Sequence, residues 1–200
     1  MKIYRDLIKD LFDRLLALAG LIVASPVMLV IAVLIKIKMP DGPVIFKQQR
    51  VGKNGKLFTM YKFRSMKHKS SGTTVTVSGD SRITPLGAFL RKYKLDELPE
   101  LWNILKGDMS FVGPRPDVPE YMNRLKGEER KILELKPGLT GPASIKYVNE
   151  EELLSKAENP VEYYDNMIFP DKIKINLDYY YNMNLFKDLK YLVQTVFRIK

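Results

Sequence analysis

The chain has 200 residues, 46% hydrophobic and 28% charged, so it can bury a core and is not globally disordered. It contains no cysteine, which excludes disulfides, thiolate metal sites and a cysteine nucleophile. It has one histidine, His68, which excludes a His-rich metal site and argues against a Ser-His-Asp triad. With 33 Lys and Arg against 23 Asp and Glu, the net charge is +10, which indicates a polyanionic partner: nucleic acid, an acidic membrane surface or phosphates.

An uncharged apolar run near the N-terminus predicts a membrane segment. Residues 15–35 contain no charged side chain, and a helix of that length is about 30 Å long, enough to cross a bilayer core. Ser25 and Pro26 lie at its midpoint, where proline removes a backbone donor and predicts a break. Residues 1–14 and 36–50 carry four cations each, so the positive-inside rule favours both ends staying in the cytoplasm. We therefore predict a re-entrant hairpin of two half-helices, the alternative being one ordinary spanning helix.

The rest of the chain predicts one hairpin and several helices. Two β-like runs, residues 44–49 and 56–61, flank Gly52-Lys53-Asn54-Gly55, and Asn-Gly is a strong hairpin signal. The polar residues 67–82, which include His68, predict a loop. A rigid turn is predicted at residues 137–142, and helices are predicted at residues 85–94, 99–106, 118–135 (interrupted at Gly127), 149–158 and 186–200.

Together these elements predict an α+β fold with two parts. Residues 1–40 form the re-entrant membrane helix hairpin, and residues 41–200 form a compact cytoplasmic domain with a small β-hairpin and several amphipathic helices. The last helix has an apolar and a cationic face, which is typical either of an interfacial membrane helix or of a soluble core helix. No nucleic-acid-binding motif accompanies the positive charge, so a nucleic-acid partner is not expected.

One acidic pair is a candidate for chemistry on a phosphate. Asp96 and Glu97 lie between two leucines, with Arg91 and two lysines just before them and a proline-started helix just after. A carboxylate can attack phosphorus and form an acyl-phosphate, and two neighbouring carboxylates can hold a hard cation such as Mg²⁺. The alternative is that the pair only caps the helix and binds Arg91 or Lys94.

Further cations favour the phosphate interpretation. Arg115 lies between two prolines, which restrict its backbone and position its guanidinium for bidentate phosphate binding. Lys62 and Arg64 add two cations at the edge of the predicted hairpin.

Seven short motifs occur in a characteristic order and cover most of residues 10–141. They are Asp13 ahead of the apolar run, Ser25-Pro26, Tyr61-Lys62-Phe63-Arg64-Ser65-Met66, Leu95-Asp96-Glu97-Leu98-Pro99, Lys106-Gly107-Asp108-Met109-Ser110, Gly113-Pro114-Arg115-Pro116 and Lys136-Pro137-Gly138-Leu139-Thr140-Gly141. In this set the chain resembles the monotopic phosphoglycosyl transferases of bacteria. Asp178-Tyr179-Tyr180 with Asp188 is similar to a less distinctive C-terminal region of that family.

The resemblance implies a catalytic domain on the cytoplasmic face of the bacterial inner membrane. It implies transfer of a sugar-1-phosphate from a UDP-sugar to a polyprenyl phosphate, with release of UMP and a requirement for Mg²⁺. In this family the Asp of the dyad is the nucleophile and the Glu assists, which assigns Asp96 and Glu97 as catalytic residues and as candidate metal ligands. It also implies that Arg91 and Arg115 bind phosphate. The stretch after Gly141 departs from the family pattern, so neither the uridine-binding residues nor the sugar is predicted.

Two other functions remain open on the sequence. One is a non-enzymatic scaffold whose basic face binds membrane phospholipid or acidic proteins, and the other is a nucleotide-sugar phosphohydrolase that uses water as acceptor. The sequence also leaves open whether the chain forms a homodimer.

Overall fold

The structure is a computed structural model that describes residues 4–68 and 79–197. Most of the loop predicted at residues 67–82 lies outside the described residues. Short π-helical or 3₁₀ turns occur at Tyr4–Ile8, Lys53–Gly55, Leu95–Glu97, Gly127–Glu134 and Tyr164–Ile168. The strands are β1 (Ile45–Val51), β2 (Leu57–Phe63), β3 (Ser110–Val112) and β4 (Gly138–Thr140). The helices are α1 (Lys9–Lys38), α2 (Pro85–Lys92), α3 (Glu100–Lys106), α4 (Pro119–Met122), α5 (Pro142–Lys146), α6 (Glu150–Ser155), α7 (Pro160–Tyr163), α8 (Phe169–Asn182) and α9 (Leu185–Phe197).

The N-terminal apolar segment is one α-helix that continues through Pro26. Proline has no N–H to donate to the Ile22 carbonyl, and the Ser25 hydroxyl donates to that carbonyl at 2.8 Å instead. Because this bond satisfies the carbonyl that proline leaves free, the helix can continue. The predicted division into two half-helices is therefore not confirmed, and the re-entrant path stays a prediction. Together with its first turn, the segment Tyr4–Lys38 is long and apolar enough to cross a membrane.

One stripe of α1 packs on the rest of the protein, while its other faces are exposed. Ala17 is buried against Leu101 and Ile104 of α3, and Ile31 and Ile35 are buried in a cluster with Phe63 of β2. These positions recur at roughly helical spacing on both sides of Pro26. The two halves of α1 therefore rest on the same domain.

A buried polar cluster ties the start of α1 to the C-terminal helices. Asp188 on α9 accepts hydrogen bonds from Lys9 Nζ (2.7 Å), the Tyr4 hydroxyl (2.7 Å) and the Tyr179 hydroxyl (2.6 Å). Asp13 lies on the same side, with its Oδ2 3.7 Å from Lys9 Nζ. Residues from two separate motifs, Asp13 and Tyr179 with Asp188, thus meet in one cluster.

The predicted hairpin is confirmed. β1 and β2 are antiparallel, with Ile45 opposite Phe63 and Val51 opposite Leu57. Asn54 has a positive φ of 57° and Gly55 a φ of 75°, which is the conformation that makes Asn-Gly a hairpin turn.

A second, parallel pair of strands was not predicted. Ser110 lies opposite Gly138 and Val112 opposite Thr140, so the stretch interpreted as a rigid turn contains β4. Gly113 and Gly138 permit this approach, since a Cβ on Gly138 would lie 2.2 Å from the Gly113 nitrogen. The pairing holds in place the segment that leads to Arg115.

The other helices follow the prediction in part. α2, α3, α6 and α9 occur where helices were expected, whereas residues 118–135 contain only the short α4 and a 3₁₀ stretch beginning at Gly127. α8 was not predicted, and it contributes Phe169 and Ile173 to the largest apolar cluster. The α+β class is confirmed.

Candidate active site

The acidic pair lies in a tight 3₁₀ turn between α2 and α3. Lys94, which precedes the turn, has a left-handed backbone with φ of 57°, a conformation that non-glycine residues rarely adopt and that often occurs at functional sites. The turn places both carboxylates inside the protein: Asp96 is 5% exposed and Glu97 is 8% exposed. Buried carboxylates need cations or donors around them, which the neighbouring elements supply.

Glu97 is held by two of the predicted cations. Its Oε1 lies 2.6 Å from Arg115 Nη2 and 3.1 Å from Lys62 Nζ. Burial by itself would raise the pKa of the Glu97 carboxyl, but the charges of Arg115, Lys62 and Lys94 outweigh it and lower that pKa. Glu97 is therefore a fixed anion that orients a guanidinium and an ammonium group.

Asp96 has a different environment. Its Oδ1 is buried and has no hydrogen-bond partner among the described residues. Burial, and then the negative charge of Glu97, raise the pKa of the Asp96 carboxyl, and Lys62, Arg91 and Lys94 offset this only in part. A carboxylate that is desolvated and unpaired is more basic and more nucleophilic than one held by cations. Two adjacent carboxyls thus have pKa values displaced in opposite directions, which is typical of catalytic pairs.

Sequence reasoning missed a third carboxylate at this site. Glu100, in the first turn of α3, is 2% exposed, and its Oε1 lies 3.0 Å from Lys62 Nζ. Burial raises the pKa of the Glu100 carboxyl, with Lys62 acting against the rise. The available signal was its spacing, since residues three apart share a face of a helical segment.

Asn103 positions α3 on the hairpin, and it too was missed. Its side chain is fully buried, accepts a hydrogen bond from the Tyr61 backbone N–H at 3.1 Å and donates to the Thr59 carbonyl at 2.7 Å. The amide thus pairs with the backbone of β2 on either side of Met60. This contact fixes Lys62 of β2 relative to the carboxylates at the start of α3.

Two predicted site residues make their contacts elsewhere. The Arg64 guanidinium is buried and binds Asp41 at 2.9 Å together with the backbone carbonyls of Met39 and Gly42, which secures the chain just after α1. Arg91 binds Glu151, although its charge still acts on Asp96. The structure therefore brings Lys62 and Arg115 to the dyad and gives Arg64 a structural contact.

The carboxylates of Asp96 and Glu97 are the candidate ligands for Mg²⁺. Among the residues that the structure describes, no group of three or more Asp, Glu, His or Cys side chains is arranged to hold a metal ion. Mg²⁺ commonly binds through one or two carboxylates and completes its shell with water and substrate phosphates. The unpartnered Asp96 Oδ1 fits that mode, with Glu97 beside it.

Comparison with known proteins places this chain in a family. Residues 4–200 match the sequence model of the family described as "Bacterial sugar transferase". The chain belongs to that family. This membership confirms the resemblance carried by the dyad and by the other motifs.

Several curated relatives of this bacterial sugar transferase have specific names. The chain is 46% identical over 123 residues to the "Putative undecaprenyl-phosphate N-acetylgalactosaminyl 1-phosphate transferase" of Bacillus subtilis, covering 60% of this chain and 68% of that one. It is 38% identical to the "Uncharacterized sugar transferase EpsL" of the same species, covering 84% and 83%. It is also 38% identical to the "UDP-glucose:undecaprenyl-phosphate glucose-1-phosphate transferase" of Escherichia coli, covering 96% of this chain but 40% of that longer protein.

Proposed function

We propose that this bacterial sugar transferase moves a sugar-1-phosphate from a UDP-sugar to a polyprenyl phosphate such as undecaprenyl phosphate, releasing UMP. The names of the relatives support the donor and the acceptor. The observation that carries the proposal is the buried Asp96 with one unpartnered oxygen, next to a Glu97 that holds Arg115 and Lys62. A nucleophile and two phosphate-binding cations thus lie within one small site.

The proposed reaction has two steps, both centred on Asp96. The Asp96 carboxylate attacks the phosphorus that carries the sugar, and the bond from that phosphorus to the bridging oxygen breaks, so UMP leaves with the electron pair. A phosphate oxygen of the polyprenyl phosphate then attacks the same phosphorus and displaces Asp96 as a carboxylate. Arg115 and Lys62 neutralise the charge of the transferred group, and Glu97 keeps both in position. A two-step route lets one residue serve a soluble donor and a membrane acceptor in turn.

We propose Mg²⁺ as the cofactor, with Asp96 and Glu97 as its protein ligands. A bound Mg²⁺ would supply positive charge against the diphosphate of the donor. The chain's own residues would still do the positioning, because Arg115 and Lys62 are oriented by Glu97.

We also propose that α1 is re-entrant, so that the protein is monotopic in the inner membrane with its active site on the cytoplasmic face. The start of α1 binds α9 through Lys9 and Asp188, and its end packs against Phe63 through Ile35, so both ends contact one domain. A segment held at both ends by one domain is expected to return to the side on which it entered. α9 exposes Phe186, Val196 and Phe197, which suits contact with phospholipid at the interface.

The test uses the purified full chain in a bilayer nanodisc with Mg²⁺, a panel of UDP-sugars and polyprenyl phosphate. UMP release that depends on the added lipid phosphate is the expected result. Lipid-independent release would instead favour the phosphohydrolase, and absence of release with every sugar would favour the scaffold. A matched reaction with UDP-sugar and lipid phosphate but with the Asp96→Asn protein serves as the control.

A further inference from the structure

A second arginine lies beside the described site and is unusually short of partners. Arg50 is near the end of β1, and its side chain is 19% exposed, less than half the 43% of Arg115. Its Nη2 donates to Gln48 at 2.8 Å, while its Nη1 lies 3.6 Å from Asp117, too far for a hydrogen bond. Its Nε is buried and has no hydrogen-bond partner among the described residues. A guanidinium has five N–H donors, and Gln48 is the one hydrogen-bond acceptor that the described part of the chain offers Arg50.

The backbone brings the strand that carries Arg50 beside the segment that carries Arg115. The Val51 N–H donates to the Asp117 carbonyl at 3.1 Å, so the segment that carries Arg115 and Asp117 runs beside the end of β1. In the hairpin register Arg50 lies opposite Phe58 and Lys62 opposite Phe46, which puts Arg50 on the same face as Lys62. That face is the one whose Lys62 contacts Glu97 and Glu100.

The charge of Arg115 acts on the Arg50 guanidinium, whose own counter-charge, Asp117, lies beyond hydrogen-bond distance. Burial, and the charge of Arg115 in addition, lower the pKa of Arg50, while Asp117 and Glu100 act the other way. Keeping a largely buried guanidinium near another cation is unfavourable unless an anion joins them. A site that keeps such charges in place before the ligand arrives is preorganised for a polyanion.

We propose that Arg50 is a third phosphate-binding cation of this active site, besides Arg115 and Lys62, and that it binds the phosphate of the departing nucleotide. Arg115 contacts Glu97 directly, so we assign it to the phosphorus that Asp96 attacks. Arg50 is paired with Asp117 and not with a carboxylate of the dyad, so we assign it to the phosphate that leaves. The inference rests on the proposed function. When Asp96 bonds to the sugar-bearing phosphorus, the bond to the bridging oxygen breaks and the charge on the UMP phosphate increases. A planar guanidinium with free donors stabilises that charge and holds UMP.

The test compares UMP binding and turnover for four full-length proteins in nanodiscs: wild type, Arg50→Lys, Asp117→Asn and Lys47→Gln. Arg50→Lys keeps the charge that pairs with Asp117 but loses the bidentate fork, so UMP should bind at least about tenfold more weakly, with a lower kcat. Asp117→Asn releases Arg50 from its competing carboxylate, so UMP should bind about threefold more tightly. Lys47 is exposed on the opposite face of β1, so Lys47→Gln removes a cation away from the site, and its UMP binding should stay within about twofold of wild type.

The outcomes separate this inference from the proposed function. UMP binding by Arg50→Lys within twofold of wild type, in a protein that is otherwise an active transferase, overturns the role of Arg50. Equal weakening by Asp117→Asn and Arg50→Lys also overturns it, because the pair would then act only in holding the fold. If the wild type neither binds UMP nor releases it from any UDP-sugar, the proposed function itself fails.

Discussion

Removing the Asp188 carboxylate should loosen the docking of α1 on the C-terminal helices. Asp188 is 4% exposed and accepts hydrogen bonds from Lys9, Tyr4 and Tyr179. In Asp188→Ala the buried Lys9 ammonium keeps Asp13, at 3.7 Å, as its one counter-charge among the described residues. Breaking one side of a buried ion pair costs about 3–5 kcal/mol, which corresponds to a fall in Tm of about 6–20 °C for a chain of this size.

The assay is thermal unfolding of the full chain in detergent, followed by circular dichroism. Asp178→Ala is the matched control, because Asp178 is exposed on α8 and its carboxylate bonds to Asn182 one turn later, so its Tm should change little. Combining Asp188→Leu with Lys9→Met removes both charges of the 2.7 Å pair and should recover only part of the loss, because the buried Asp13 carboxylate then lacks Lys9. A Tm for Asp188→Ala equal to that of Asp178→Ala would refute the reasoning, as would losses that simply add in the double variant.

Four further predictions concern the dyad and the membrane segment. Asp96→Asn should abolish lipid-dependent UMP release, because an amide cannot form the acyl-phosphate; retained turnover would rule out Asp96 as the nucleophile. Because the pKa of Asp96 is raised in the folded state, ionising this carboxyl lowers the stability of the wild type, and Asp96→Asn should have the higher Tm at pH 7. This advantage should disappear below about pH 3.8, the ordinary Asp pKa, where the carboxyl is protonated in both the folded and the unfolded state. Transfer by the wild type should fall as the pH drops through the raised pKa of Asp96. In Glu97→Gln the neighbouring negative charge is gone, so the residual activity should fall at a lower pH. A fall at the same pH in both proteins would contradict this. Cysteines introduced singly at residues 2 and 200, in a chain that has none, should both resist a membrane-impermeant thiol reagent in intact cells and react after lysis; labelling of residue 2 alone before lysis would indicate a spanning helix.

Local signals in the sequence were sufficient for several elements. Asn54-Gly55 predicts the hairpin because both residues tolerate a positive φ, and Pro99 with Gly107 marks α3 because proline suits a helix start and glycine a left-handed end. The adjacent carboxylates with nearby cations likewise indicated phosphate chemistry. In each case residues close in sequence determine the conformation or the chemistry.

Other features depended on contacts between distant residues. Whether Arg64 binds a substrate phosphate, as predicted, or the backbone after α1 cannot be read from its own neighbours, since a guanidinium suits either partner. The pairing of β3 with β4 joins segments more than twenty residues apart, and strands of three residues are too short to show alternation. The burial of Glu100 and Asn103 follows from the packing of α3 on β2 and α1. The sequence by itself thus determined which chemical groups are present and where the chain turns, whereas the tertiary structure decided which carboxylates lose water and which cations face them, because burial and charge pairing arise only when distant segments pack together.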